Sequence, residues 1–453
     1  MSRVDGKAAM INWDSKIFDE TFSRVFAADL RKRRLGCVTS VRGNQVQVSG
    51  IELNVGQMCR LFDSSRVDML GEVVGMVPQG ALVTLYGSVR GLGAHTRVLP
   101  LDAMHRVYCG DALLGRVIDG LGQPIDGATL PPTLDPSPTT IAPPNPMSRP
   151  LIRTRLSTGI RAIDGLLSMG YGQRVGIFAP AGAGKSTLIG MIAQGARDCV
   201  CVIALIGERG REVREFLDRV LTPEQRSRTV MVVATSDRPS MERIKAAYTA
   251  TAVAEHFRDA GRPVLLMMDS LTRFARAIRE TGLAAGEPAV RRGFPPSVFT
   301  ALPALVERAG PAAKGSITAF YTVLIEDAEQ SDPIGEEVRS LLDGHIILSQ
   351  KLASAGHYPA IDVRHSVSRL MAELSSAEEL RVASVVREWL VKHEDAELLM
   401  QLGEYEAGRD VGLDDAISAR PALLEFLRQD NLDAADASAQ LAELVGRYAG
   451  VRT

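Results

Sequence analysis

The segment Ala179-Pro180-Ala181-Gly182-Ala183-Gly184-Lys185-Ser186-Thr187 constrains this chain more than any other. An apolar run, Arg174–Ala179, leads into it, and a helix-like run, Lys185–Ala196, leads out. A strand that turns through small residues into a helix, with Lys-Ser at the helix start, is the context of a phosphate-binding loop. Small residues let successive backbone N–H groups wrap the phosphates, and the helix start adds unpaired donors and a positive dipole end. Residues Pro180, Ala181, Gly182, Ala183, Gly184, Lys185, Ser186 and Thr187 are therefore the expected nucleotide cradle. Lys185 would reach the β- and γ-phosphates, and Ser186 would place its hydroxyl on Mg²⁺. The generic pattern opens with Gly; here that position is Ala179.

Around this loop, residues 151 to about 350 alternate apolar strands with helical segments. Strands are expected at Arg174–Ala179, Val200–Ile206, Val230–Thr235, Val264–Asp269, Ile317–Leu324 and Ile346–Leu348, and helices at Lys185–Ala196, Met241–Asp259 and Val298–Ala309. That alternation predicts an α/β core with a mainly parallel sheet. Ahead of it, residues 35–98 carry short alternating runs such as Val46-Gln47-Val48, punctuated by glycines, which suggest a small β-barrel. Eight prolines between Pro131 and Pro150 exclude a regular helix or central strand there. The expectation is an extended segment wrapping the next domain. After about residue 370 the chain becomes helical, with Glu378–Leu402 the clearest stretch. At the other end, Ile17, Phe18, Phe22, Val25, Phe26 and Leu30 recur as on one helix face, before the basic run Arg31-Lys32-Arg33-Arg34. The expected division is 1–34, an oligomerisation or partner helix; 35–98, a barrel; 99–369, the nucleotide-binding core; and 370–453, a helical domain.

The charge balance and cysteines narrow the class. Across 453 residues, 52 Lys+Arg meet 54 Asp+Glu, a formal net charge of −2, which gives no sign of a generally basic nucleic-acid binder. Five cysteines without a CxxC do not describe a disulfide scaffold or a structural zinc site. No continuous apolar stretch marks a secretory signal in the first 30 residues, and the longest apolar run, Cys199–Ile206, is too short to span a bilayer. A soluble protein of a reducing compartment is expected.

Two further strand ends carry candidate chemistry, since ligands of open α/β sheets bind at the carboxyl ends of strands. Val264–Asp269 ends in a carboxylate placed to hold Mg²⁺, directly or through water. Val200–Ile206 runs into Gly207-Glu208-Arg209-Gly210-Arg211-Glu212, where a carboxylate could orient an attacking water. From spacing alone, Glu208 and Glu212 are equal candidates.

Segment Gly207–Phe216 resembles the signature of the ATPases that energise type III protein secretion. So do Ala234–Arg243 (ATSDRPSMER), Asp269–Ala277 (DSLTRFARA), Gly282–Pro288, Arg292–Phe299, and His357–Asp362 with Ser366–Arg369 behind it. The similarity runs from about residue 36 to 410. These enzymes are relatives of the catalytic subunit of rotary ATP synthases. The resemblance implies a RecA-like core flanked by a barrel and a helical domain, and a Mg²⁺-dependent ATPase acting as a homohexamer. It implies that Glu208 polarises water, that Arg209 and Arg273 support the phosphates and that carboxylate, that Tyr358 stacks on adenine, and that Arg369 is an arginine finger reaching a neighbouring subunit. The same resemblance makes Thr281–Phe299, with Arg291 and Arg292, a loop facing a central channel. It further implies a central stalk protein, a stator or regulator, secretion chaperones with their exported substrates, and an export gate at the cytoplasmic face of the inner membrane.

An injection-type system is favoured over a flagellar one by Met147-Ser148-Arg149 and the Gly176–Ser186 region. A rotary synthase subunit should lack Ala234–Arg243 as it stands here. An RNA-translocating hexamer would want exposed aromatics in its N-terminal module, yet residues 35–98 hold only Phe62 and Tyr86. ATP and Mg²⁺ are the expected ligands, with no nucleic acid. Residues 370–453 carry 8 Lys+Arg against 17 Asp+Glu, an acidic region joined to a phosphate-handling body.

Overall fold

A computed structural model describes residues 34–63, 68–101, 104–325, 332–402 and most of 405–449. The expected N-terminal helix carrying Phe18, Phe22 and Phe26 lies outside the described residues.

Six strands, β1 (Gly36–Arg42), β2 (Gln45–Ser49), β3 (Met58–Phe62), β4 (Asp68–Val77), β5 (Gly80–Leu85) and β6 (Arg97–Pro100), close a barrel in the order β1-β2-β5-β4-β3-β6. Alternation turns Val46, Val48, Leu61, Val83, Leu85 and Val98 into its interior, where all are fully buried. Register shifts in β1 and β4 bend the strands for closure. Gly80 must be glycine: its φ is 151°, and a Cβ there would lie 1.9 Å from the Val48 carbonyl oxygen.

Next come β7 (Arg106–Cys109), β8 (Val117–Asp119) and β9 (Asp135–Pro138). β9 lies inside the proline-rich stretch and pairs with β7. Just beyond it the Thr139 carbonyl accepts from Arg308 Nη1 at 2.7 Å. Arg308 is 1% exposed and forks onto Glu255, with Nε 2.9 Å from Oε1. The extended segment thus wraps the core as its prolines predict, and a buried ion pair pins it.

The core sheet is built from β12 (Arg174–Ala179), β13 (Val200–Ile206), β14 (Thr229–Ala234), β15 (Pro263–Asp269), β17 (Ser316–Leu324), β18 (Gly344–Ile347) and β19 (Val367–Ser368), with β8 at the far edge. Its order is β19-β18-β12-β17-β15-β13-β14-β8. Neighbours are parallel except β19 on β18. Two-residue strands β10 (Arg155–Leu156) and β11 (Met169–Gly170) pair beside it, and β16 (Gly310–Pro311) pairs with β17.

Both faces are covered, which is why β13 reads as an unbroken apolar run. Ile177, Ile203, Met231 and Met267 face helix Lys185–Gly195 and the C-terminal helices. Phe178, Val202, Val232 and Leu266 face helices Ser240–Asp259, Leu271–Ala284 and Pro296–Val306. Lys245 of the first of these reaches Glu72 of the barrel at 2.7 Å, both largely buried, and so joins barrel to core. Helices Ala377–Leu402, Val411–Leu427 and Ala437–Ala449 form the C-terminal region. The architecture is a RecA-like α/β core between an N-terminal barrel and a C-terminal helical region.

Candidate active site

β12 delivers the chain at the carboxyl edge of the sheet into the loop Pro180–Gly184. Gly182 (φ 81°) and Gly184 (φ 84°) hold left-handed conformations that L side chains rarely adopt. That allows the backbone to turn tightly and start helix Lys185–Gly195 on Gly184. Ser186 and Thr187 stay exposed on its first turn.

Asp269, the last residue of β15, and Glu208, two residues past the end of β13, converge on Lys185. Its Nζ lies 2.5 Å from Asp269 Oδ1 and 3.5 Å from Glu208 Oε1. Asp269 is 3% exposed, and its Oδ1 also accepts from Thr322 Oγ1 at 2.7 Å. Thr322 was not anticipated; its signal is a fully buried hydroxyl in strand β17. Glu208 Oε2 meets Arg273 Nη1 at 2.8 Å, and the same guanidinium donates to the Gly207 carbonyl. Gly207 leaves room for that contact, since a Cβ there would sit 2.9 Å from Arg273 Cδ.

Burial pushes the Glu208 carboxyl above the usual range; a hydrogen bond shared with Glu212 adds to this, while Lys185 and Arg273 oppose it. The same bond holds Glu212 below its ordinary value. Glu208 Oε1 is buried with no hydrogen-bond partner among the described residues. The structure therefore separates the two glutamates that spacing left equal: Glu208 points in beside Lys185, and Glu212 flanks it from the following helix.

Arg209 does not join the cluster. Its side chain is 79% exposed and pairs with Glu212 at 3.7 Å. It stands at the N-cap of helix Gly210–Glu215 in extended backbone (φ −72°, ψ 141°). Tyr358 stands over the phosphate loop: a Cβ on Gly184 would lie 3.3 Å from its ring. The residue is 42% exposed beside the cradle. Its carbonyl accepts from Gln429 N at 2.8 Å, tying this tyrosine to the C-terminal region.

Arg369 lies elsewhere. β19 runs antiparallel to β18 with Ser368 opposite Gly344, and Arg369 N donates to the Asp343 carbonyl. Asp343 in turn holds Arg174, the first residue of β12. The phosphate loop leaves the other end of that strand, ~16 Å away at about 3.3 Å per residue. Arg369 is exposed at the edge opposite its own chain's Lys185. In the segment Thr281–Phe299, Arg291 pairs with Glu336 at 2.7 Å and Arg292 is exposed.

A lysine on a glycine-hinged loop at a strand end, facing two buried carboxylates from neighbouring strands, defines a P-loop nucleotide-hydrolase core. Residues 159–368 match the nucleotide-binding domain of the ATP synthase alpha/beta family, and residues 375–446 match the C-terminal domain of the type III secretion ATPase EscN. The chain is 49% identical over 431 residues to the type 3 secretion system ATPase of Xanthomonas euvesicatoria, covering 94% of this chain and 98% of that one. It is 45% identical over 399 residues to the flagellum-specific ATP synthase of Bacillus subtilis, covering 88% and 91%. The assembled ATPase EscN from the enteropathogenic E. coli type III secretion system superposes with a TM-score of 0.86 at 45% identity, over 90% of this chain and all of that one. EscN in complex with its central stalk EscO gives 0.83 at 44%, over the same shares. The chain belongs to the family of type III secretion system ATPases, which is related to the flagellar enzymes.

Proposed function

We propose that this chain is a Mg²⁺-dependent ATPase that works as a homohexamer, with ATP at the subunit interface, and energises protein export. The observation that carries the reading is the convergence of Lys185, Asp269, Glu208 and Arg273 at one strand edge while Arg369 sits at the other. The backbone of Pro180–Gly184 and the first turn through Thr187 hold the phosphates, and Lys185 neutralises them. Tyr358 stacks on adenine. Glu208, ionised and held by Arg273, takes the proton of the attacking water. Ser186 and Asp269 offer the hard oxygen donors that Mg²⁺ prefers. Bound there, the metal would supply positive charge to offset that of the phosphates. Arg369 is too far from its own chain's Lys185 to act in cis, so it completes a neighbour's site. The exposed Arg209 side chain fits a contact across that interface better than a place in its own cluster.

The four regions, 1–34, 35–98, 99–369 and 370–453, divide assembly, barrel, catalysis and partner docking. By kinship with EscN and its complex with EscO, a central stalk is the partner in the ring's axis, with Thr281–Phe299 lining the channel. Hydrolysis then drives rotation of that stalk or chaperone release and unfolding of exported substrates. A stator protein and an export gate at the cytoplasmic face of the inner membrane complete the partners. An injection-type system is the first reading and flagellar export the second. No helix among the described residues is long and apolar enough to cross a membrane.

The interface model is tested by measuring specific ATPase activity against protein concentration alongside light scattering. Activity should rise as the ring forms. A flat specific activity across assembly would overturn the shared site.

A further inference from the structure

The placement of Arg369 rests on a compact network that no part of the nucleotide cradle uses. Gln173, fully buried, donates through Nε2 to the Asp343 carbonyl at 3.1 Å and to Ser368 Oγ at 3.0 Å. Its own Oε1 accepts from Gly170 N at 3.0 Å. Ser368 Oγ then donates to the Ser168 carbonyl at 2.7 Å. The Asp343 carboxylate takes three donors from Arg174: backbone N at 3.0 Å, Nε at 3.1 Å and Nη2 at 3.2 Å. Arg174 Nη1 is braced by Glu307 at 2.6 Å. Burial lowers and the Asp343 and Glu307 carboxylates raise the Arg174 pKa, with a net rise. The Asp343 carbonyl receives Arg369 N, the residue that follows β19.

A two-residue edge strand has little to hold it on its own. β19 is antiparallel on one neighbour only, with two paired positions. Its course is therefore set by side chains, and these come from the residues that open β12. We propose that Gln173 and the Arg174–Asp343 fork are positioning residues for Arg369. They fix the peptide from which Arg369 reaches the neighbouring subunit's nucleotide. This inference rests on the reading of Arg369 as a finger acting in trans. It adds a consequence: the strand that delivers a subunit's own phosphate loop also anchors, at its other end, the arginine offered to the next subunit.

A guanidinium that acts on a transferring phosphoryl group depends on placement. A misplacement of about 1 Å can cost up to ~100-fold in rate. Asp343→Ala should thus lower kcat by at least about tenfold while leaving KM for ATP near that of the parent, because its own cradle is untouched.

The deciding measurement mixes subunits. Asp343→Ala chains keep a sound cradle, and Lys185→Ala chains keep a sound Arg369. Interfaces with the first chain's cradle and the second chain's arginine should recover activity, as they should for Arg369→Ala chains mixed with Lys185→Ala. Rescue in both mixtures supports the inference, since a chain that merely lost its fold would not be rescued. Rescue of Arg369→Ala but not of Asp343→Ala overturns it and leaves the finger standing. Rescue of neither overturns the finger in trans and this inference with it. Unchanged kcat in Asp343→Ala also overturns it. If Asp343→Ala fails to assemble, Arg174→Lys, which keeps the charge and loses the fork, takes its place and is read the same way.

Discussion

Glu208→Gln separates the two tasks of the site. The substitution keeps the shape and leaves an amide oxygen to accept from Arg273, 2.8 Å from Oε2 in the parent. It removes the charge that, in the proposed mechanism, orients water and accepts its proton. General-base assistance contributes ~10²–10⁴ in rate, so kcat should fall by that factor, about 3–5 kcal/mol on the barrier. Nucleotide binding should hold or tighten. Lys185 lies between Asp269 at 2.5 Å and Glu208 at 3.5 Å, and neutralising Glu208 leaves one fewer carboxylate competing with phosphate for the ammonium. Phosphate release gives kcat, and calorimetry with ATP on the slow variant gives affinity. Glu212→Gln is the comparison, and should retain most turnover because Glu212 flanks Glu208 rather than Lys185. Near-normal hydrolysis by Glu208→Gln would refute the assignment. Loss of binding in parallel with turnover would show that Glu208 builds the cradle instead of activating water.

Three further outcomes follow from the same geometry. Because burial pushes Glu208 above the usual carboxylate range and the proposed base works ionised, kcat/KM should fall as pH drops through that raised value; an acid limb at ordinary glutamate pH, about 4.3, would contradict it. Tyr358→Ala should raise KM for ATP by about fivefold or more, as a stacked base is worth ~1–3 kcal/mol, with kcat little changed; a kcat defect at constant KM would remove the stacking role. Arg308→Met leaves Glu255 charged in a core where both partners are under 5% exposed and should cost about 3–5 kcal/mol in denaturant unfolding. Adding Glu255→Leu should return part of it.

The phosphate loop and its sheet were legible because their signals are local. Apolar runs bounded by turn residues located β12 and β13 at their observed ends, and β14 within one residue. β8 was not legible: three residues carry no periodicity, and Val117–Asp119 is a strand only because β14 offers it an edge. Arg209 shows the limit for side chains. Motif adjacency places it with Glu208, yet its side chain is 79% exposed while that of Glu208 is 8% exposed, so neighbours in a signature need not share a site. Thr322 was missed for the converse reason, since its partner Asp269 is 53 residues away in sequence and meets it only through the pairing of β15 with β17.

The role of Glu208 also depends on what surrounds Lys185, which no motif states. One ammonium answers to two carboxylates, of which Asp269 is nearer and carries a second donor in Thr322. A triphosphate competes for the same ammonium. It displaces the weaker contact first, and that contact is Glu208 at 3.5 Å. Glu208 keeps its contact with Arg273 through Oε2, at 2.8 Å, and Oε1 is the oxygen that Lys185 would release. On the proposed roles, the asymmetry of the two Lys185 contacts would leave Glu208 to the water and Asp269 to the metal.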